Sequence, residues 1–229
     1  VVTIAFIVVY VILWKVIPVF ATLFEGLGGQ LPFLTQVIVN LSRFIGNFWW
    51  LIIIVVVGGI FSLRQYYQTE AGRYQIDKII LKLPVFGELM RKIAVARFCR
   101  TLGTLLSSGV AILESLDITA RTAGNAVIEE AILKVRKEVE EGKTIADPLT
   151  RSEQFPPMVC QMISVGEQTG AMDTMLSKIA DFYEDEVDSA VEGMMSLIEP
   201  VIIAFLGVII GTIVVAMYLP MFSLISQIG

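Results

Sequence analysis

Histidine is absent from the 229 residues, which removes imidazole general bases, Ser-His-Asp triads and histidine metal ligands. The two cysteines, Cys99 and Cys160, are too few for a four-cysteine zinc site or a disulfide-dense scaffold. Charge is scarce too: 17% of residues are Asp, Glu, Lys or Arg, where an ordinary soluble domain has about 25%. The net charge of −5 has the wrong sign for a nucleic-acid partner. No phosphate loop is present, and Gly166 and Gly170 are too sparse for a dinucleotide fingerprint. No catalytic residue, metal site or cofactor is therefore expected.

What is abundant is apolar surface, at 55% of residues and a mean hydropathy of +0.76. It is segregated from the charge. Of 17 Lys and Arg, only Lys15 and Arg43 lie outside 64–196; of 22 Asp and Glu, only Glu25 and Glu199 do. The middle segment thus carries the whole net charge, and three apolar runs flank it. A helix needs about 20 apolar residues to cross the hydrocarbon core. The runs 44–63 and 197–220 meet that length, and 1–24 does so if Lys15 snorkels to an interface. Arg64, Arg73, Lys78 and Lys82 follow the second run, which places 64–196 in the cytoplasm by the positive-inside rule. The loop 25–43 and the tail 221–229 then lie on the outer side. Trp49, Trp50 and Tyr218 suit interfacial belts.

Helical spacing dominates everywhere and no period-2 strand pattern occurs. Glu25 to Pro32 is a turn-rich break, followed by an amphipathic stretch from Leu34 to Ile45 that either lies on the membrane or extends the second span. Breaks at Pro84 and Gly87, at Ser108-Gly109, at Gly124-Asn125 and at Gly142 divide the middle segment into short amphipathic helices. Phe155-Pro156-Pro157 opens another, and Gly166 and Gly170 weaken its end. From Met172 onward only Gly193 interrupts before Glu199-Pro200, so the last helix is expected to run into the third span. Short connections between amphipathic helices imply an antiparallel bundle. The chain begins with Val1 inside an apolar run that has neither a basic n-region nor a small-residue cleavage site. This reads as a fragment of a longer protein. Ile17-Pro18-Val19-Phe20 and Leu219-Pro220-Met221-Phe222 echo each other, as the ends of tandem units would.

Few residues offer chemistry. Asp181, Glu184, Asp188 and Glu192 share a helix face, with Asp185 and Glu186 nearby. This is either a solvated face or a strip for a cation or a basic partner, and one straight helix supplies too few oxygens for calcium. Glu199 is expected at the headgroups, with Pro200 able to kink its helix. Glu167, between Gly166 and Gly170, is expected to cap a helix end or to hold Arg97 or Arg100. Cys99 and Cys160 sit in apolar stretches as small core residues.

Taken in order, several segments resemble the type II secretion system protein F domain family. They are Arg97 to Val110, including Arg100 and Gly109; Gly124-Asn125; Phe155-Pro156-Pro157-Met158-Val159; and Val165-Gly166-Glu167-Gln168-Thr169-Gly170-Ala171-Met172-Asp173. Tyr183-Glu184, Glu199-Pro200 and Ala216 to Phe222, with Pro220, follow, and Pro18-Val19-Phe20, Leu31-Pro32 and Thr35 match upstream. The run from Tyr183 and the Met217-Tyr218-Leu219-Pro220 ending look more like the type IV pilus branch than the secretion branch. The resemblance implies an all-α polytopic inner-membrane protein. Three transmembrane helices, 1–24, 44–63 and 197–220, would accompany one cytoplasmic six-helix bundle, 64–196, the second of two copies in the full protein. It implies a non-enzymatic platform whose partners are a cytoplasmic hexameric ATPase, pilin subunits, other inner-membrane pilus proteins, the lipid bilayer and further copies of itself. A secretion-system platform is the nearest alternative. A transporter or channel would need ionisable groups inside the spans, and only Lys15 offers one; a carboxylate-based membrane enzyme ranks last.

Overall fold

The computed structural model describes residues 2–26 and 32–228, and every element among them is helical. In chain order these are α1 (Val2–Val11), a π-helical turn (Ile12–Val16), α2 (Ile17–Gly26), α3 (Phe33–Tyr67), α4 (Glu70–Lys82) and α5 (Phe86–Ser107). Next come α6 (Ile112–Thr122), α7 (Ala126–Glu140), α8 (Ala146–Arg151), α9 (Pro157–Thr169) and α10 (Met172–Ile228). The turn-rich break expected over 25–32 falls mostly outside the described residues. The chain divides into two compact units, one of 63–194 and one of 1–62 with 195–229.

In the unit 63–194, α6 packs on α5 and α7, α4 on α5 and α7, and α8 on α7 and α9. One core joins them. Phe98 and Leu102 from α5, Leu116 from α6, Ile128 and Ile132 from α7, Leu149 from α8, Ile163 from α9 and Leu176 and Ile179 from α10 are all fully buried. Each such side chain contributes roughly 1.5–3 kcal/mol by leaving water. The helices stop where the backbone finds a way to satisfy its last carbonyls. At Gly109 (φ +78°) the Val110 N–H reaches Leu105 O and the Gly109 N–H reaches Leu106 O, each at 3.0 Å. Gly142 ends α7 in the same way, with Lys143 N–H on Glu138 O and Gly142 N–H on Val139 O. Asp147-Pro148 lies inside the short helix α8, because Pro148 is compatible with a helix's first turn. Between α4 and α5 the Phe86 N–H donates to Pro84 O at 2.8 Å, closing a γ-turn around Val85 at φ +69°, ψ −58°. A β-branched residue there costs on the order of 1–3 kcal/mol.

In the other unit, α2, α3 and α10 meet through Ile17, Ala21, Ile38, Val39, Ile213 and Ala216. Two hydroxyls complete this junction. Pro220 has no N–H to give Ala216 O, its α-helical partner, and Thr35 Oγ1 donates to that oxygen at 2.7 Å. Pro18 has none to give Leu13 O, its π-helical partner, and Ser42 Oγ donates there. The π turn itself ends with Ile17 N–H on Ile12 O, immediately before Pro18, which accommodates the ring by widening the helix upstream. Thr35 and Ser42 are two helical turns apart and both buried.

The second apolar run and the amphipathic stretch before it form one helix, α3, with Phe48 off helical geometry at φ −113°, ψ 18°. α10 is unbroken through Gly193, Glu199 and Pro200, so Pro200 does not end it, and it continues beyond 220 to Ile228 rather than giving way to a tail. Among the described residues one helical stretch, Met172–Leu219, is long and apolar enough to cross a bilayer. Its most apolar window has a mean hydropathy of 2.7 with only 11% buried, unlike a soluble core helix. Phe33–Leu51 with Ile53–Tyr67 makes a second if the bent pair is one span, and Ile7–Thr22 is apolar but shorter.

Removing either hydroxyl leaves a carbonyl bare in apolar surroundings. Thr35→Val and Ser42→Ala are each expected to lower unfolding stability in mild detergent by about 1 kcal/mol. The loss in Thr35→Val should shrink in a Pro220→Ala background, where residue 220 regains its N–H; an unchanged loss would disprove the orphaned-carbonyl account.

Candidate functional site

The charged residues singled out in the sequence gather mainly where α5 faces the first part of α10. Arg100 makes a forked contact with Glu184, Nε to Oε1 at 2.9 Å and Nη2 to Oε2 at 2.7 Å, and its Nη2 also reaches Asp181 Oδ1 at 2.5 Å. Two turns up α5, Lys92 Nζ donates to Glu186 Oε2 at 2.9 Å. Three of the six carboxylates of the acidic strip therefore neutralise cations of a neighbouring helix. Hydrogen bonding to Arg100 holds the Glu184 carboxyl below the usual carboxylate range, and bonding to Glu186 raises Lys92. All these groups keep water contact, so the pairs orient α10 on α5 more than they stabilise it.

Close backbone approach sets the spacing beneath these pairs. A Cβ on Gly103 of α5 would stand 3.2 Å from Leu176 Cβ of α10. A Cβ on Gly166 of α9 would stand 3.1 Å from both Met172 Cα and Met175 Cβ. α9 ends one turn later at Gly170, which takes the left-handed conformation at φ +72°. Asp173 is exposed in the first turn of α10 and accepts from Thr174 Oγ1 at 3.4 Å. With Arg100, Gly103, Thr104, Ser177 and Lys178 it lines a hydroxyl-rich groove of about 430 Å³.

Glu167 turns away from both arginines. Its two oxygens accept the Ile145 N–H at 3.0 and 3.1 Å, and one accepts the Ala146 N–H at 3.4 Å, capping the start of α8. The expected cap is present, and the expected Glu167–arginine pair is not. Arg100 is taken by the α10 carboxylates, and Arg97 lies over Gly124, whose Cβ would fall 2.4 Å from Arg97 Nη1. Asn125 caps α7: its Oδ1 accepts from Val127 N–H at 2.9 Å and Ile128 N–H at 3.3 Å. Phe155 packs on Phe98 with ring centres 4.9 Å apart and the rings tilted by 57°, and Pro156 stands at the N-cap position of α9. Tyr183 is buried among the core residues, and burial raises its hydroxyl. Cys99 and Cys160 are core residues whose thiols burial also pushes up. Glu199 and Pro200 are exposed on α10, and Pro220 lies within α10. Among the described residues no three His, Cys, Asp or Glu side chains converge as a metal site.

One residue that composition and spacing did not mark is Asp77. It is buried at 2% exposure, accepts from Tyr67 Oη at 3.0 Å and from the Ala126 N–H at 2.7 Å, and its backbone oxygen accepts from Asn125 Nδ2 at 3.4 Å. It ties the end of α3 to the start of α7. One acid among the mixed residues of α4 gives no periodic signal, and its partners lie 10 and 49 residues away.

Two outcomes check this geometry. Glu167→Ala should destabilise the helical domain by about 1–2 kcal/mol, and Glu167→Gln by less, read as thermal unfolding. Arg100→Gln should cost less than about 1 kcal/mol near neutral pH. A carboxyl held low in the folded state contributes above its unfolded pKa and loses that contribution as pH falls through the folded value. The deficit of Arg100→Gln should therefore shrink progressively as pH falls below about 4; a deficit that grows on acidification would rule out the pairing.

Known proteins resemble the chain over nearly its whole length. Type IV pilus assembly protein PilC of Myxococcus xanthus (strain DK1622) is 51% identical over 218 residues, which cover 95% of this chain and 52% of that protein. The protein of the same name from Thermus thermophilus is 47% identical over 223 residues, covering 97% of this chain and 55% of its own length. Type II secretion system protein F of Pseudomonas aeruginosa is 33% identical over 218 residues, with 95% and 54% covered. The chain thus spans about half the length of the curated relatives it matches. The family model described as "Type II secretion system (T2SS), protein F" matches residues 98–220, from the middle of α5 through the apolar part of α10. With more than half of its residues inside that match, the chain belongs to the type II secretion system protein F family.

Proposed function

We propose that the chain is the second half of an inner-membrane platform protein of a type IV pilus machine. In this reading it spans the bilayer three times, through 1–24, 44–63 and 197–220, and holds 64–196 as a helical bundle in the cytoplasm. It performs no chemistry itself. A cytoplasmic hexameric ATPase acts on the bundle, and the membrane helices carry the displacement to pilin subunits entering or leaving the fibre, alongside other pilus proteins and further copies of the platform. The observation that carries the pilus reading is the identity of 51% and 47% to pilus assembly proteins over nearly the whole chain, against 33% to a secretion protein F.

The mechanical part rests on α10. Its residues Leu176, Ile179, Ala180 and Tyr183 belong to the core of the helical domain, and the same helix continues through the apolar run to Ile228. A helix transmits displacement along its axis because its backbone bonds are internal and repeat every turn. A Gly-Gly insertion after Glu192 in the complete protein should abolish piliation while the domain still melts cooperatively. Normal pili from cells carrying it would sink the coupling, and loss of the melting transition would be answered by a second variant, Val191→Pro, at the same turn.

A further inference from the structure

The corner between α4 and α5 leaves apolar side chains in the open with no helix over them. Ile79 is 60% exposed, Leu83 46%, Val85 63% and Phe86 54%. The turn is built tightly: Gly87 N–H bonds Leu83 O at 2.8 Å, and a Cβ on Gly87 would strike Leu81 O at 2.3 Å. With the strained γ-turn at Val85, the backbone is held so that Val85 and Phe86 point outward when a relaxed turn would be easier to make. Lys78 and Lys82 flank the patch, both exposed; Lys78 Nζ lies 5.9 Å from the centre of the Tyr74 ring and also acts on Glu130. The only acid within 77–86, Asp77, is buried and engaged.

We propose that this corner, Lys78 to Phe86, is an interfacial contact for an anionic phospholipid surface. Its apolar tip would enter the boundary between headgroups and acyl chains, with Lys78 and Lys82 at the phosphates. Two further observations favour lipid over a protein partner. The lysines complement an anionic leaflet. The helix that carries the corner, α4, is also tied to the last two residues of α3. Tyr67, the last residue of α3, holds Asp77 at 3.0 Å, and Tyr66 Oη holds Gln75 Oε1 at 3.0 Å. The inference rests on the membrane placement proposed above, and the experiment separates the two.

The whole chain is reconstituted in phosphatidylcholine–phosphatidylglycerol vesicles, with an environment-sensitive fluorophore on a single introduced cysteine, Leu83→Cys or Phe86→Cys. Cys99 and Cys160 are buried and stay unlabelled. Arg121→Cys on α6 serves as the solvent reference and Val208→Cys in the apolar run of α10 as the membrane reference. The expected result is blue-shifted emission at 83 and 86, quenched by shallow spin-labelled lipid, with Arg121→Cys unquenched. Lys78→Gln and Lys82→Gln, and likewise pure phosphatidylcholine, should lower the bound-to-free ratio of the corner, by roughly fivefold for each lysine lost. Quenching at 208 with none at 83 and 86 overturns the corner and leaves the membrane reading standing. Blue-shifted emission at 83 and 86 without lipid quenching assigns the corner to protein and also overturns it. No quenching at 208 overturns the membrane placement, and the corner with it.

Discussion

The approach of α10 to the backbones of α5 and α9 is the constraint on which the helical domain depends. Gly103 and Gly166 leave no room for a side chain where α10 begins, so Leu176 and Ile179 reach the centre of the core and not its rim. Everything else along that seam follows from the spacing. Arg100 can fork onto Glu184 because α5 and α10 are already close, and the Lys92–Glu186 pair repeats the arrangement further along. Apolar burial supplies the free energy; the ion pairs choose which face of α10 is turned inward.

Around that seam the domain is fastened end to end by side chains that serve backbone groups. Asn125 and Asp77 close the start of α7, Glu167 closes the start of α8, and glycines in the left-handed conformation close α5, α7 and α9. Each satisfies groups that a helix end leaves bare. The same task unites several of the residues singled out in the sequence. Gly109, Asn125, Glu167 and Gly170 read as a scattered polar pattern, yet their common task is to terminate helices, which is the work a bundle of short helices needs most.

The helical character and its breaks were legible because they depend on local chemistry. Pro84, Gly109, Asn125, Gly142, Pro157 and Gly170 all stand at helix ends. Pairings between distant segments were not legible. Arg100 lies 81 and 84 residues from its carboxylates, and nothing along the chain separates Glu184 from Glu167 as a partner. Only the geometry of α9 shows that Glu167 looks toward α8. The kink at Phe48 and the π turn before Pro18 were hidden for a different reason: apolar residues with helical spacing look the same whether the helix is straight, bent or locally widened.

The hydroxyl of Thr35 on Ala216 O has a consequence for azimuth. Small apolar side chains such as Ala21 and Ala216 let neighbouring helices slide and spin with little change in contact, since dispersion has no preferred direction. A carbonyl oxygen has one. Each residue step turns a helix by about 100°, so rotating α10 by a single position would carry Ala216 O out of reach and bring up a carbonyl already engaged by its own helix. One bond thereby indexes the rotation of α10 about its axis, as a key indexes a shaft, at the single turn where Pro220 has left an oxygen free to be read.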